Sequence, residues 1–222
     1  MKIKFVLKLL TTITSIILLF GCKSIPDNEN PNTEKAAKIN SRLGMAYLER
    51  HDVQRAKSKF LLALEQAPKL PEMWYSMAYF LEATGNKESA NQYYLKAIAL
   101  APRRGDVLNN YGTFLCRNGK NNQAIAYFLK ATRDSQYLDI AGAYENAGLC
   151  SEKAKQNRVA KTFFIKALAE DGRRPTSLIE LAELYYKEGK SKDSKKTLKQ
   201  FLEISTPTVQ SYKLERKLQR FS

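Results

Sequence analysis

The sequence predicts an all-α fold, a right-handed superhelical solenoid of about five helix pairs closed by a C-terminal capping helix. Three observations carry that expectation. A pattern of small and aromatic residues recurs at spacings of 34 or 36 residues. Turn signals divide the copies into two helices each, and the last stretch has room for a single helix. Apolar content is 44% with only 10 glycines and 7 prolines, which excludes a disordered or collagen-like chain.

Residues 1–21 read as a lipoprotein signal peptide. Met1–Lys8, MKIKFVLK, places three lysines in a basic head, and the uncharged Leu9–Phe20 leads to Gly21 and Cys22. A basic head, a short apolar run and a small residue at the cut site make a secretory signal. The run of 12 residues falls short of the ~20 that span a bilayer, leaving a short membrane anchor as the weaker alternative. LFGC, Leu19–Cys22, resembles the bacterial lipobox, which implies acylation of Cys22 and cleavage before it. Two or three acyl chains hold a protein stably at ~0.8 kcal/mol per buried methylene. Lys23 stands where an aspartate commonly retains such lipoproteins at the inner membrane, so the resemblance implies the outer membrane, facing the periplasm. Residues 22–35 are the lipidated start and a polar, proline-containing tether.

Residues 36–206 hold the repeats. Gly44 is followed by Tyr47, Ala56, Phe60, Ala63 and Pro68. A shift of 34 gives Ala78, Leu81, Ala90, Tyr94, Ala97 and Pro102, with Trp74 four residues before Ala78. Another 34 gives Gly112, Leu115, Ala124, Phe128 and Ala131, and a shift of 36 gives Gly148, Ala160, Phe164 and Ala167. The last and weakest copy has Ala182, Tyr185, Ser194, Leu198 and Phe201. This is the tetratricopeptide pattern. Small residues in the first helix let the second approach, and the aromatics fill the space between repeats. Gly85, Gly119 and Gly189 suit left-handed turns ending first helices, while Pro68 and Pro102 stop second helices. Each repeat buries its face only against its neighbours, so the array is one cooperative unit.

Residues 207–222, with Val209, Tyr212, Leu214, Leu218 and Phe221 among basic residues, read as the capping helix. Net charge is +15, and from Lys187 onward ten Lys/Arg face four Asp/Glu. In an exported chain such charge points away from nucleic acid and toward membrane phosphates or an acidic partner, with a solvated helix face as the plain alternative.

No catalytic constellation is present in the sequence. His51 beside Asp52 at a helix–helix turn reads as a cap rather than a dyad, because catalysis needs a third group. No metal-ligand spacing and no phosphate-binding loop occur, so neither an enzyme nor a cofactor is expected. Glu180 and Glu183, near lysines, read as a solvated face. Binding remains. First-helix positions facing the concave side select Met45, Leu48, Tyr75, Tyr79, Glu82, Asn109, Thr113, Glu145 and Leu149 as a protein-binding groove for a partner helix or extended peptide.

A lipoprotein signal followed by such repeats, with NNYGTFLCRNGKNNQAIAYFLKAT at Asn109–Thr132 and ENAGLC at Glu145–Cys150, resembles the PilF/PilW lipoproteins of type IV pilus biogenesis. NYG-x-FLC at Asn110–Cys116 is the most specific part of a similarity covering roughly Ala36–Thr206. The resemblance implies a pilotin or assembly factor that binds the outer-membrane secretin or other pilus assembly proteins, promoting localisation, multimerisation or fibre stability, with no small-molecule substrate. Family members commonly have six repeats; here residues 207–222 stand where a sixth would be. The alternative is a periplasmic repeat adaptor for peptidoglycan hydrolases or envelope assembly. The basic C-terminus prompts a third reading, an adaptor for envelope lipids.

With Cys22 assigned to lipid, Cys116 and Cys150 are left in an oxidising compartment, which invites pairing. The resemblance, through FLC and GLC, implies such a disulfide. Two buried free thiols are the alternative, and a bridge requires Cα atoms ~4.4–6.8 Å apart.

Overall fold

The computed structural model describes residues 31–220. The signal peptide, Cys22 and the first part of the tether lie outside the described residues, as do residues 221–222. The described helices are α1 (Pro31–Glu49), α2 (Val53–Gln66), α3 (Pro71–Ala83), α4 (Lys87–Leu100), α5 (Gly105–Arg117) and α6 (Asn121–Ala131). They continue with α7 (Ile140–Lys153), α8 (Asn157–Glu170), α9 (Pro175–Lys187), α10 (Ser191–Ile204) and α11 (Val209–Gln219). Consecutive helices make five pairs, α1/α2 to α9/α10, with α11 as the cap, and no strand occurs among the described residues. None of these helices is long and apolar enough to cross a membrane.

Helix α1 starts at Pro31, so residues 31–35, expected in the tether, are helical. A proline in the first helical turn forfeits no intrahelical hydrogen bond, because that N–H would lack a partner anyway. Other starts are capped by side chains. Asp52 accepts from the Arg55 N–H at 3.1 Å, Asn86 from the Ser89 N–H at 3.1 Å and Asp139 from the Gly142 N–H at 2.9 Å. Thr208 and Ser211 form a reciprocal capping box on α11. The Asp52 cap leaves His51 exposed in the turn, as the sequence reading has it.

Within each pair the turn requires a left-handed residue. Gly85, Gly119 and Gly189 supply it at φ +89°, +77° and +74°, while His51 and Lys155 adopt φ +59° in the equivalent turns. The core is built on the repeat pattern. Phe60, Tyr94, Phe128 and Phe164 are all at most 1% exposed. A Cβ added at Gly44 would meet the Phe60 ring at 2.9 Å, at Gly112 the Phe128 ring at 2.8 Å, and at Gly148 the Phe164 ring at 2.5 Å. The small residues therefore seat the aromatics of their own repeat. Those rings then contact the next repeat: Phe60 lies 5.6 Å from Phe80 and Tyr94 5.0 Å from Phe114, centroid to centroid.

The 36-residue step has a local cause. After α6 the chain makes a longer loop in which Asp134 accepts from the Gly105 N–H at 2.7 Å and Tyr137 lies against Gly105. The cap buries Leu214 and Leu218 against Leu178, Ile179, Ala182, Leu198 and Phe201.

A left-handed conformation costs an ordinary L-residue roughly 1–2 kcal/mol relative to glycine's freedom there. His51→Gly and Lys155→Gly, both at exposed side chains, are therefore expected to raise stability by about 1 kcal/mol each, read by urea denaturation. No gain in either variant would show that the turns carry no conformational cost.

Candidate protein-binding groove

The first helices α1, α3, α5 and α7 position the expected groove residues, and all but Glu145 divide into two groups. Met45 and Leu48 are half-buried and pack on the cluster of Phe60, Met77 and Phe80. Tyr75 is half-buried, and its hydroxyl lies 3.3 Å from Asp106 of the next repeat. Burial and the neighbouring Asp106 and Glu72 carboxylates push that phenol well above its ordinary range. Tyr79 lies beneath the Arg117 guanidinium, 5.4 Å from the ring centroid. Arg117 also reaches Glu82 at 3.5 Å. The other Glu82 oxygen is buried without a hydrogen-bond partner. Burial raises the Glu82 carboxyl, and Arg117 opposes that rise.

Asn109, Thr113 and Leu149 come together in the middle of the array. Asn109 accepts from Asn146 at 3.0 Å, joining α5 to α7. Thr113 and Leu149 line an open cleft of about 320 Å³ with Cys116, Arg117, Phe128, Asn146, Glu152 and Lys153. Cys116 and Cys150 face each other beside it, with Cα atoms 5.8 Å apart. That separation lies within the range a disulfide requires.

Glu145 departs from expectation. Instead of presenting a carboxylate to the groove it is buried, accepting from the Ser177 N–H at 3.0 Å and the Ser177 hydroxyl at 2.7 Å, while Arg174 donates to it at 2.9 Å. A carboxylate taken out of water needs such partners, and α9 of the next repeat supplies them. Glu180 and Glu183 depart too. Both are half-buried; Glu180 of α9 accepts from Gln210 of α11 at 3.1 Å, and the Glu152 carboxyl of α7 lies near it. Burial pushes the Glu152 carboxyl up to about 7, and the Glu180 carboxylate adds to that rise. The two first helices pack side by side, which brings these carboxyls together between repeats.

The arginine links between repeats carry little sequence signal. Arg104, just before α5, pairs with Glu72 at 2.9 Å and Asp106 at 2.7 Å. Arg174, just before α9, spans Asp139 at 2.8 Å and Glu145 at 2.9 Å. Each follows another arginine directly ahead of a first helix, and that repeated Arg-Arg pair is the one trace in the sequence. The NYG-x-FLC stretch proves to be packing. Asn110 donates to the Asp106 carbonyl at 2.8 Å, Tyr111 donates to Asn91 at 3.0 Å, Gly112 seats Phe128, and Phe114 and Leu115 are buried.

Among the described residues no group of three or more His, Cys, Asp or Glu is placed to hold a metal ion. Helix pairs at this spacing, with a cleft among their first helices, define the tetratricopeptide-repeat class, and residues 71–104 and 93–126 match tetratricopeptide-repeat families. The type IV pilus assembly protein PilF of Pseudomonas aeruginosa is 32% identical over 174 residues, covering 77% of this chain and 69% of that protein. The chain belongs to the PilF/PilW family, a family of non-enzymatic repeat scaffolds. A solved structure of P. aeruginosa PilF superposes with TM-score 0.76 at 28% identity, covering 86% of both chains. PilW, a widely conserved type IV pilus biogenesis factor, gives TM-score 0.71 at 26% identity over 83% of this chain and 84% of that one. MamA, at 16% identity and TM-score 0.57 over 76% of this chain and 91% of that one, shares the fold alone.

Glu152 yields a pH prediction. Its folded carboxyl holds a proton to about pH 7, whereas an ordinary one loses it near 4.5. The folded state binds the extra proton across that window, so the contribution is full at low pH and is lost as pH rises through about 7. Glu152→Gln is expected to stabilise the chain by about 1 kcal/mol at pH 8, after solvent screening, and to change little at pH 4. Equal effects in denaturation at both pH values would exclude this.

Proposed function

We propose that the chain is an outer-membrane lipoprotein of type IV pilus biogenesis that binds the secretin through its first-helix groove and promotes its localisation or multimerisation. The observation that carries this reading is the kinship with PilF, 32% identical over 77% of the chain. The cleft supports it, since Leu149 and the edge of Phe128 offer an apolar floor, while Thr113, Asn146 and Glu152 offer polar contacts. Such a surface suits a helix or an extended segment whose backbone and side chains need both. Acylation at Cys22 would hold the array at the periplasmic face of the membrane.

Heat-resistant secretin multimers, compared by gel in wild-type and deletion strains, test the role. Tyr75→Ala with Tyr79→Ala, and separately Thr113→Arg to fill the cleft, are expected to reduce multimers about tenfold while the protein level holds, the loss of about 1.4 kcal/mol in binding. Secretin that assembles and localises normally in all three strains would overturn the reading. A cell-wall defect with normal multimers would point instead to the peptidoglycan-hydrolase adaptor.

We also propose that Cys116 and Cys150 are oxidised in the periplasm. Closing a loop with 34-residue separation is expected to stabilise by about 3–4 kcal/mol on the loop-entropy model, visible as a lower melting temperature under reductant. Two free thiols by mass spectrometry of periplasmic protein would rule the bond out.

A further inference from the structure

The terminal helices carry a surface that the groove does not use. In α11 the buried positions are Ser211, Leu214 and Leu218. At 100° per residue the opposite face presents Val209, Tyr212, Lys213, Arg216 and Arg220, all exposed and with no carboxylate among them. Val209 is 71% exposed and Tyr212 57%, high values for an apolar and an aromatic side chain on a helix. Beside this face α10 turns Lys192, Lys196 and Lys199 outward, the last 80% exposed and 4.0 Å from Glu203. A shallow cleft of about 310 Å³ separates the two helices, lined in part by Leu198, Leu202 and Leu218.

We propose that this α10–α11 surface docks on a membrane leaflet containing anionic phospholipid. The cations meet headgroup phosphates, while Val209 and Tyr212 settle at the boundary with the acyl chains. A tyrosine ring suits that boundary because its body is apolar and its hydroxyl stays hydrated. Charge decides among the occupants. A second copy would set one cationic face against another, which like-charge repulsion opposes. An acidic partner helix needs a continuous apolar stripe for its own buried face, whereas two apolar side chains flanked by cations on a convex helix match a planar charged interface. This surface belongs to the C-terminal helices and uses no groove residue, so it stands apart from the secretin reading.

The test uses the chain from residue 22 carrying Cys22→Ser, so that neither an acyl chain nor the apolar run Leu9–Phe20 contributes. Its partition is measured by flotation on vesicles of phosphatidylcholine alone and of phosphatidylcholine mixed with phosphatidylglycerol. Each cation near an anionic surface raises partition roughly fivefold. Binding to the mixed vesicles is therefore expected to exceed binding to neutral ones by about tenfold or more and to fall as salt rises. A variant with Lys192→Glu, Lys196→Glu, Lys213→Glu and Arg216→Glu loses that excess while its circular dichroism is unchanged. Val209→Ser with Tyr212→Ser lowers binding several-fold and keeps the salt dependence. Equal partition on both vesicles, or an excess that survives charge reversal, overturns the proposal. So does equally tight binding to soluble polyglutamate with no vesicle preference, which would make the occupant an acidic protein.

Discussion

Everything in this array rests on the approach of an aromatic ring on each second helix to a small residue on the first. Gly44, Gly112 and Gly148 leave no room for a methyl group beneath Phe60, Phe128 and Phe164. That contact fixes how the two helices of a repeat cross. The ring, held there, then presents its other side to the next repeat, as Phe60 does to Phe80 and Tyr94 to Phe114. Pair geometry and stacking geometry are thus set by one interaction used repeatedly. The last pair runs on weaker terms, with Ala182 and Leu198 in those places, and there the cap adds Leu214 and Leu218 to complete the burial.

On this apolar frame the polar groups divide their work. Some carboxylates are consumed in joining repeats, as Glu145 is by Ser177 and Arg174. Others, such as Glu82 and Glu152 on first helices, hold their protons more tightly than usual because burial penalises their charge. A surface of this kind keeps recognition capacity at the cost of some folding stability, and it sits where Thr113 and Leu149 open a cleft. The packing contacts and the cleft are therefore built on the same helices, on different sides.

The repeat was legible because its physics is local and periodic. A glycine at Gly148 and a phenylalanine at Phe164 announce their contact by spacing alone, and Gly85, Gly119 and Gly189 mark turns that demand φ > 0. The left-handed backbone of His51 and Lys155 in the equivalent turns was not legible, because neither residue type favours it. Helical phase placed Thr113 and Leu149 together, where they line a cleft, but could not tell the buried Glu145 from them. Whether a carboxylate faces water or a neighbouring repeat depends on what that repeat offers, here Ser177 and Arg174, which lie 32 and 29 residues away. The misread Glu180 is the same case, since the Gln210 amide that donates to it lies 30 residues away on the capping helix.

The two arginine links give the array an uneven elasticity. Arg104 ties the second repeat to the third and Arg174 ties the fourth to the fifth, each from the short connection ahead of a first helix. A stack of units held by neighbour contacts behaves as a chain of springs, and a charged link that spans a junction stiffens that junction alone. Resistance to bending under load therefore differs from one junction to the next rather than being shared evenly.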